Sequence, residues 1–359
     1  MGNDLKRYSN FELLKIVSIL MVLTLHYFNG EMGGALHHTS KGTSNYYLMY
    51  LLESMSIIAV NCFVLVTGYF MVSKTGIKLK KAINLLSITV FYGILFYFVN
   101  GMYQSHIGNE WFSLKSFVKA AMPFYGSEWF VSTYVVLFLL APFINIVLQQ
   151  LTKSQFKQLL VIMIICFSVL PTLLPLVSYN DNGYGVLSFI LIYCIGAYLK
   201  LYGSKFDDSW RYVSIYLVAS ICTFALCLTI GIKTLSLNYN TIFNVAGAVA
   251  IFIIFMKIKF HSNIVNYLAT FTFAIYIIHT DISINEILFR EVLDSDQYWN
   301  SPWFIPHFIV SVIALFFGCV AIEAIRRYIM SIISRKIKFE RLDKITIGQI
   351  DPNDNKMSV

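Results

Sequence analysis

Charge is scarce in this chain. Of its 359 residues only 13% are Asp, Glu, Lys or Arg, while 57% are hydrophobic. A soluble domain carries roughly a quarter charged residues, so a water-facing globular fold is excluded over most of the length. Cysteine is sparse as well. Cys62, Cys166, Cys194, Cys222, Cys227 and Cys319 lie inside apolar runs, without the spacing of a disulfide framework or a zinc site. They read as small packing residues, and no metal is expected. A soluble domain, a low-complexity linker, a clear internal repeat and the strict alternation of a membrane barrel are all missing. The formal net charge of +8 is spread over short loops between apolar runs, a distribution that does not imply nucleic acid.

The repeated feature is an apolar stretch of about 17 to 25 residues, the length a helix needs to cross a bilayer, and mean hydropathy is +0.67. The expected fold class is all-α, a polytopic integral membrane helical bundle of about ten transmembrane helices. Its approximate spans are residues 12–29, 47–70, 82–100, 129–149, 158–177, 185–201, 212–231, 240–256, 264–282 and 303–325. The first is too long for a signal-peptide core and lacks a small-residue cleavage pattern behind it, so it is expected to stay in the mature protein.

Basic loops are retained on the cytoplasmic side. With the N-terminus inside and this number of crossings, only Lys41, Lys115, Lys119, Lys233 and Arg290 fall outside. Both termini are therefore expected to be cytoplasmic, in a multi-pass protein of the plasma membrane. Residues 1–345 form the membrane domain, and 346–359 a polar tail expected to be disordered. The loop "SKTGIKLKK" (73–81) is a compact cationic cluster, and the basic stretch 326–344 reads as a contact with anionic inner-leaflet lipid. Outer segments 30–46, with His37 and His38, 101–128 and 283–302 are long enough to cover a site.

The stretch "NFELLKIVSILMVLTLHYF" (10–28) carries a lysine, Lys15, and a histidine, His26, inside an apolar run. Eleven residues are roughly three helical turns, which brings the two to within about 20° of one face and about 16 Å apart along the axis. Ser18, Ile19 and Val22 lie between them. Ionisable groups in hydrocarbon face a cavity or a partner. A histidine titrating near neutrality can take a proton from a hydroxyl, and a lysine can hold phosphate. The bland alternatives stand beside this: Lys15 snorkels to the interface and pairs with Glu12 one turn earlier, and His26 is an interfacial histidine.

The segment "SNFELLKIVSILMVLTLHYF" resembles the opening of the membrane acyltransferase family three, whose hallmark is an arginine, ten residues and a histidine. Lys15 and His26 keep the spacing, with lysine in place of arginine, so the cation survives and the bidentate fork does not. "NCFVLVTGYF" (61–70), "EWFVSTYVVLFLLAPFIN" (128–145) and "TFAIYIIHT" (272–280) extend the resemblance over most of the chain.

The resemblance implies transfer of an acyl group, usually acetyl from cytoplasmic acetyl-CoA, to a hydroxyl on a surface glycan or a lipid-linked glycan. It implies that His26 is the base or a transient acyl carrier, that Lys15 contacts the donor phosphates, and that Lys78, Lys80 and Lys81 help to recruit them. For that loop, topological retention is the alternative. Glu128 can orient His26 or bind sugar hydroxyls, with Trp129 stacking on a sugar ring or serving only as an interfacial anchor. His279, with Tyr276 one turn before it, either lines the same cavity or is a structural histidine. Negative charge on the thioester oxygen needs a donor; the candidates are Tyr134, Trp129 and backbone amides near Thr67–Gly68. Many relatives carry a hydrolase-like domain after the last span, whereas here a basic tail follows. Transfer is therefore expected to finish within the membrane unit or to pass to a partner. The competing classes are a transporter exporting a polysaccharide or its lipid-linked precursor, and a polysaccharide polymerase.

Overall fold

Where water is absent the peptide groups must be satisfied within the protein, and a helix does this inside one segment. In the computed structural model, which describes residues 8–30, 32–124, 129–203, 209–229, 233–334 and 345–348, the apolar runs are helices. They are α1 (Ser9–Phe28), α2 (Ser44–Met71), α3 (Leu79–His106), α4 (Trp129–Gln150), α5 (Lys153–Leu173), α6 (Val186–Tyr202), α7 (Ser209–Thr229), α8 (Ile242–Lys257), α9 (Thr272–Thr280) and α10 (Phe304–Ser334). Among the described residues, seven are long and apolar enough to cross a membrane: α1 to α5, α7 and α10. Helices α6 and α8 are shorter, and the span expected at 264–282 is interrupted. Asn263–Leu268 is helical, Ala269–Phe271 is a 3-10 turn, and α9 begins at Thr272.

Helix α1 is the hub, packing against α2, α8, α9 and α10. It is apolar on nearly every side, as a helix enclosed by others has to be, and Leu14, Leu23, Tyr27 and Phe28 are fully buried. Its first turn is pinned by polar bonds. Ser9 Oγ donates to Asn266 Oδ1 at 2.9 Å and Asn10 Nδ2 donates to the Phe255 carbonyl at 2.8 Å. Helices α2 and α6 approach so closely that a Cβ added to Gly68 would strike the Tyr193 carbonyl, and one on Gly196 the Leu65 carbonyl. Small residues at such crossings let backbones touch without lipid between them.

The last carbonyls of a helix have no partner within it. At the end of α2 the Met71 carbonyl accepts from Asn145 Nδ2 of α4 at 2.7 Å, and in the turn that follows Asn145 Nδ2 also donates to Lys74 at 3.0 Å and Gln149 Nε2 to Val72 at 2.5 Å. The loop that follows forms β1 (Ile77–Lys78), antiparallel to β2 (Thr346–Ile347), with Ile77 opposite Ile347. Residues 346 and 347, assigned by sequence to a free tail, are thus paired, and 349–359 lie outside the described residues.

At the opposite end of the bundle, segments 32–46 and 283–302 interlock. The Gly33 carbonyl accepts from Trp299 Nε1 at 2.8 Å, and His38 stacks on Trp299 with ring centroids 4.3 Å apart. Tyr27 completes the cap by donating to His307 Nδ1 at 2.7 Å, while His307 Nε2 donates to the Leu293 carbonyl at 2.8 Å.

Candidate active site

A cavity of about 580 Å³ lies between α1, α2, α4 and α9. At one end its wall is Tyr8, Glu12, Lys15, Phe70 and Lys74; Thr67 and Tyr134 add two hydroxyls, and the rest is mostly apolar, with Ile19, Val22, Val60, Phe63, Val66 and Phe130, leading to Tyr276. Lys15 and Glu12 pair at 2.5 Å, and both line the cavity. The interfacial pairing foreseen for Lys15 and a place in the cavity wall therefore coexist. Ser18 departs from the expected stripe, being fully buried and outside the lining.

Sequence reasoning placed Lys78, Lys80 and Lys81 near donor phosphates and passed over Lys74. In the structure Lys74 is the member of that loop in the cavity wall, its backbone carbonyl held by Asn145. Burial and then the nearby Lys81 hold the Lys74 amine below the ordinary lysine range. Lys78 sits in β1, and Lys80 and Lys81 are in the first turn of α3, outside the lining.

One turn beyond Val22 is His26, and the structure brings His279 to it across 253 residues of sequence. His26 Nδ1 lies 2.7 Å from His279 Nε2, and His279 Nδ1 lies 2.5 Å from the Ile275 carbonyl. A carbonyl only accepts, so the proton of neutral His279 is on Nδ1 and its Nε2 carries a lone pair. That lone pair accepts from His26 Nδ1–H. The Nε2 of His26 is left unprotonated, the form a general base requires, with a third group fixing its ring as in nucleophile–base–orienter arrangements. Both histidines occupy the last turns of their helices, where aligned carbonyl dipoles favour the positive charge a base acquires.

The remaining residues divide. Tyr134 lines the cavity with its hydroxyl 3.1 Å from Thr67 Oγ1. The Thr67 proton goes to the Phe63 carbonyl at 2.9 Å, so Tyr134 is the donor in that pair. The backbone amides near Thr67–Gly68 are spent inside α2, and Gly68 faces α6, so they cannot serve as oxyanion donors. Trp129 is outside the cavity lining, in a ring cluster with Tyr184 at 4.5 Å and Tyr239 at 5.5 Å. Glu128 lies outside the described residues.

No curated protein and no solved structure matches the chain significantly. A family model described as an acyltransferase domain, that of acyltransferase family 3, matches residues 8–324, from the entrance of α1 well into α10. With a match over nearly its whole length and a bundle of apolar helices around the site, the chain belongs to acyltransferase family 3 and is a membrane acyltransferase.

Proposed function

We propose that the protein moves an acyl group, acetyl in the first instance, from cytoplasmic acyl-CoA to a hydroxyl of a surface polysaccharide or its lipid-linked precursor, at the plasma membrane. The observation that carries this reading is a base-competent histidine pair one turn beyond a cavity whose other end holds two lysines. The donor enters from the lysine end. His26 Nε2 takes the proton of the acceptor hydroxyl as its oxygen attacks the thioester carbon, and the C–S bond then breaks, with the proton passing to the leaving sulfur. Tyr134 serves the thioester oxygen by turning its proton away from Thr67 Oγ1. Trp129 and Glu128 are assigned to the acceptor side.

The lysines of the basic loop support an anionic donor. Lys80 and Lys81 stand in the first turn of α3, which has no acidic residue. Their positive charge suits an anionic donor.

The experiment is to compare ester-linked acyl groups on purified envelope glycans from deletion and complemented strains. Loss on deletion and return on complementation are expected. Unchanged esters with altered glycan export or chain length would overturn the reading in favour of transport.

For Lys15, substitution by Met should raise the donor KM by about ten-fold or more, since charge-assisted bonds contribute about 1.5–3 kcal/mol. It also leaves Glu12 facing the phosphates unpaired. Lys15→Arg keeps the cation and should stay within a few-fold of the native KM. Thiol release by the purified protein at varied acetyl-CoA measures both.

A further inference from the structure

The cavity and the base do not meet. On α1 the lining runs from Phe11 and Glu12 through Lys15 and Ile19 to Val22, the last about 10 Å beyond Lys15 at the helical rise, and stops; His26 is about 6 Å farther along. Tyr276 stands between the two. Tyr276 is almost fully buried, its ring centroid 5.1 Å from Phe130 on the cavity side and 6.5 and 6.1 Å from His26 and His279 on the other. It stands edge-on to His279. Its backbone is fixed in α9, where Thr280 Oγ1 donates to the Tyr276 carbonyl at 2.7 Å.

We propose that Tyr276 is a partition that sets the length of the acyl group, admitting short acyl-CoA esters and rejecting longer ones. The inference rests on the acyl-CoA reading above. A thioester entering past Lys15 presents its acyl end to the far wall of the cavity, where the Tyr276 ring stands on the side of the histidine pair. The side walls, Ile19, Val60 and Phe63, are apolar and do not discriminate by polarity. Extra methylenes inside an apolar pocket change affinity only modestly by themselves; a filled end wall rejects them because packed interiors do not yield cheaply. Removing most of the ring should therefore convert rejection into acceptance, and the direction of the effect is set by shape alone.

The test is equilibrium binding of free CoA, acetyl-CoA, butyryl-CoA and hexanoyl-CoA to the full chain in lipid nanodiscs. No acceptor is required. The native protein should bind hexanoyl-CoA at least about ten-fold more weakly than acetyl-CoA. Tyr276→Ala, and Tyr276→Leu as the variant that preserves more packing, should bring the two esters within about three-fold of each other. Tyr276→Phe, which keeps the ring, should retain the native profile. A merely structural tyrosine would lower affinity for all the esters together. An unchanged ratio in the truncated variants, or equal binding of all lengths by the native protein, would overturn the partition and leave the donor reading standing. Failure of the native protein to bind free CoA and every ester would overturn the donor reading, and the partition with it.

Discussion

Replacing His26 by Ala should lower acyl transfer by about 10²–10⁴-fold, the contribution of a positioned general base, while the protein still inserts and accumulates. The geometry gives the reason. Only Nε2 of His26 is left with a lone pair once Nδ1–H is committed to His279, and His279 is itself committed to Ile275. Alanine removes the acceptor for the substrate proton and leaves His279 Nε2 unpaired, a local cost of about 1–3 kcal/mol that a bundle built around α1 can bear. Transfer and stability should thus separate: acyl esters disappear from the glycan and acceptor-dependent thiol release falls, while the melting profile shifts little and donor binding stays near native. Persistent acylation in the His26→Ala strain would remove the histidine from the mechanism. So would a loss of donor binding equal to the loss of transfer, because a base acts on the acceptor proton and not on CoA.

How far the sequence carries depends on the range of the forces involved. The long apolar runs were legible because a bilayer imposes one length and one hydrogen-bonding solution on each of them. The break before α9 was not. Nothing in "LATFTF" marks it, with no glycine or proline in the run. Its cause is tertiary, for Arg327 donates to the Thr270 carbonyl and hydroxyl at 2.6 and 2.8 Å and draws that carbonyl out of the α-helical ladder. Helical phase located Lys15, Ile19 and Val22 on one wall, but it placed Ser18 there too, and that side chain is turned into the packed interior. The histidine pair shows the same limit. Sequence supplies two histidines at corresponding ends of two spans; the 2.7 Å contact depends on how α9 lies against α1. Likewise, four lysines of one loop are equivalent on paper. Bonds from Asn145 and Gln149, which secure the end of α2 and the turn after it, decide that Lys74 is the one in the wall.

Replacing Glu323 by Ala should destabilise the protein by about 3–5 kcal/mol, the cost of breaking a buried charge cluster from one side. Its carboxylate is fully buried on α10 and accepts four bonds. Arg326 provides a fork at 2.6 and 2.7 Å, Arg327 Nε donates at 2.8 Å and the Tyr92 hydroxyl at 2.8 Å. Alanine would leave two guanidinium groups facing each other, one of them over the Phe271 ring at 4.1 Å, with no anion between them. The damage reaches the site because Arg327 also holds Thr270, in the turn from which α9 departs with Tyr276 and His279. A Glu323→Gln change keeps the shape and one acceptor oxygen but loses the charge, so it should fall between native and alanine. Thermal unfolding in detergent separates this case from His26→Ala, since here the melting temperature drops first and activity follows it. An unaltered melting temperature for Glu323→Ala would mean that water, and not the carboxylate, compensates the two arginines, and α9 would then owe its position to packing against α1 and α10 alone.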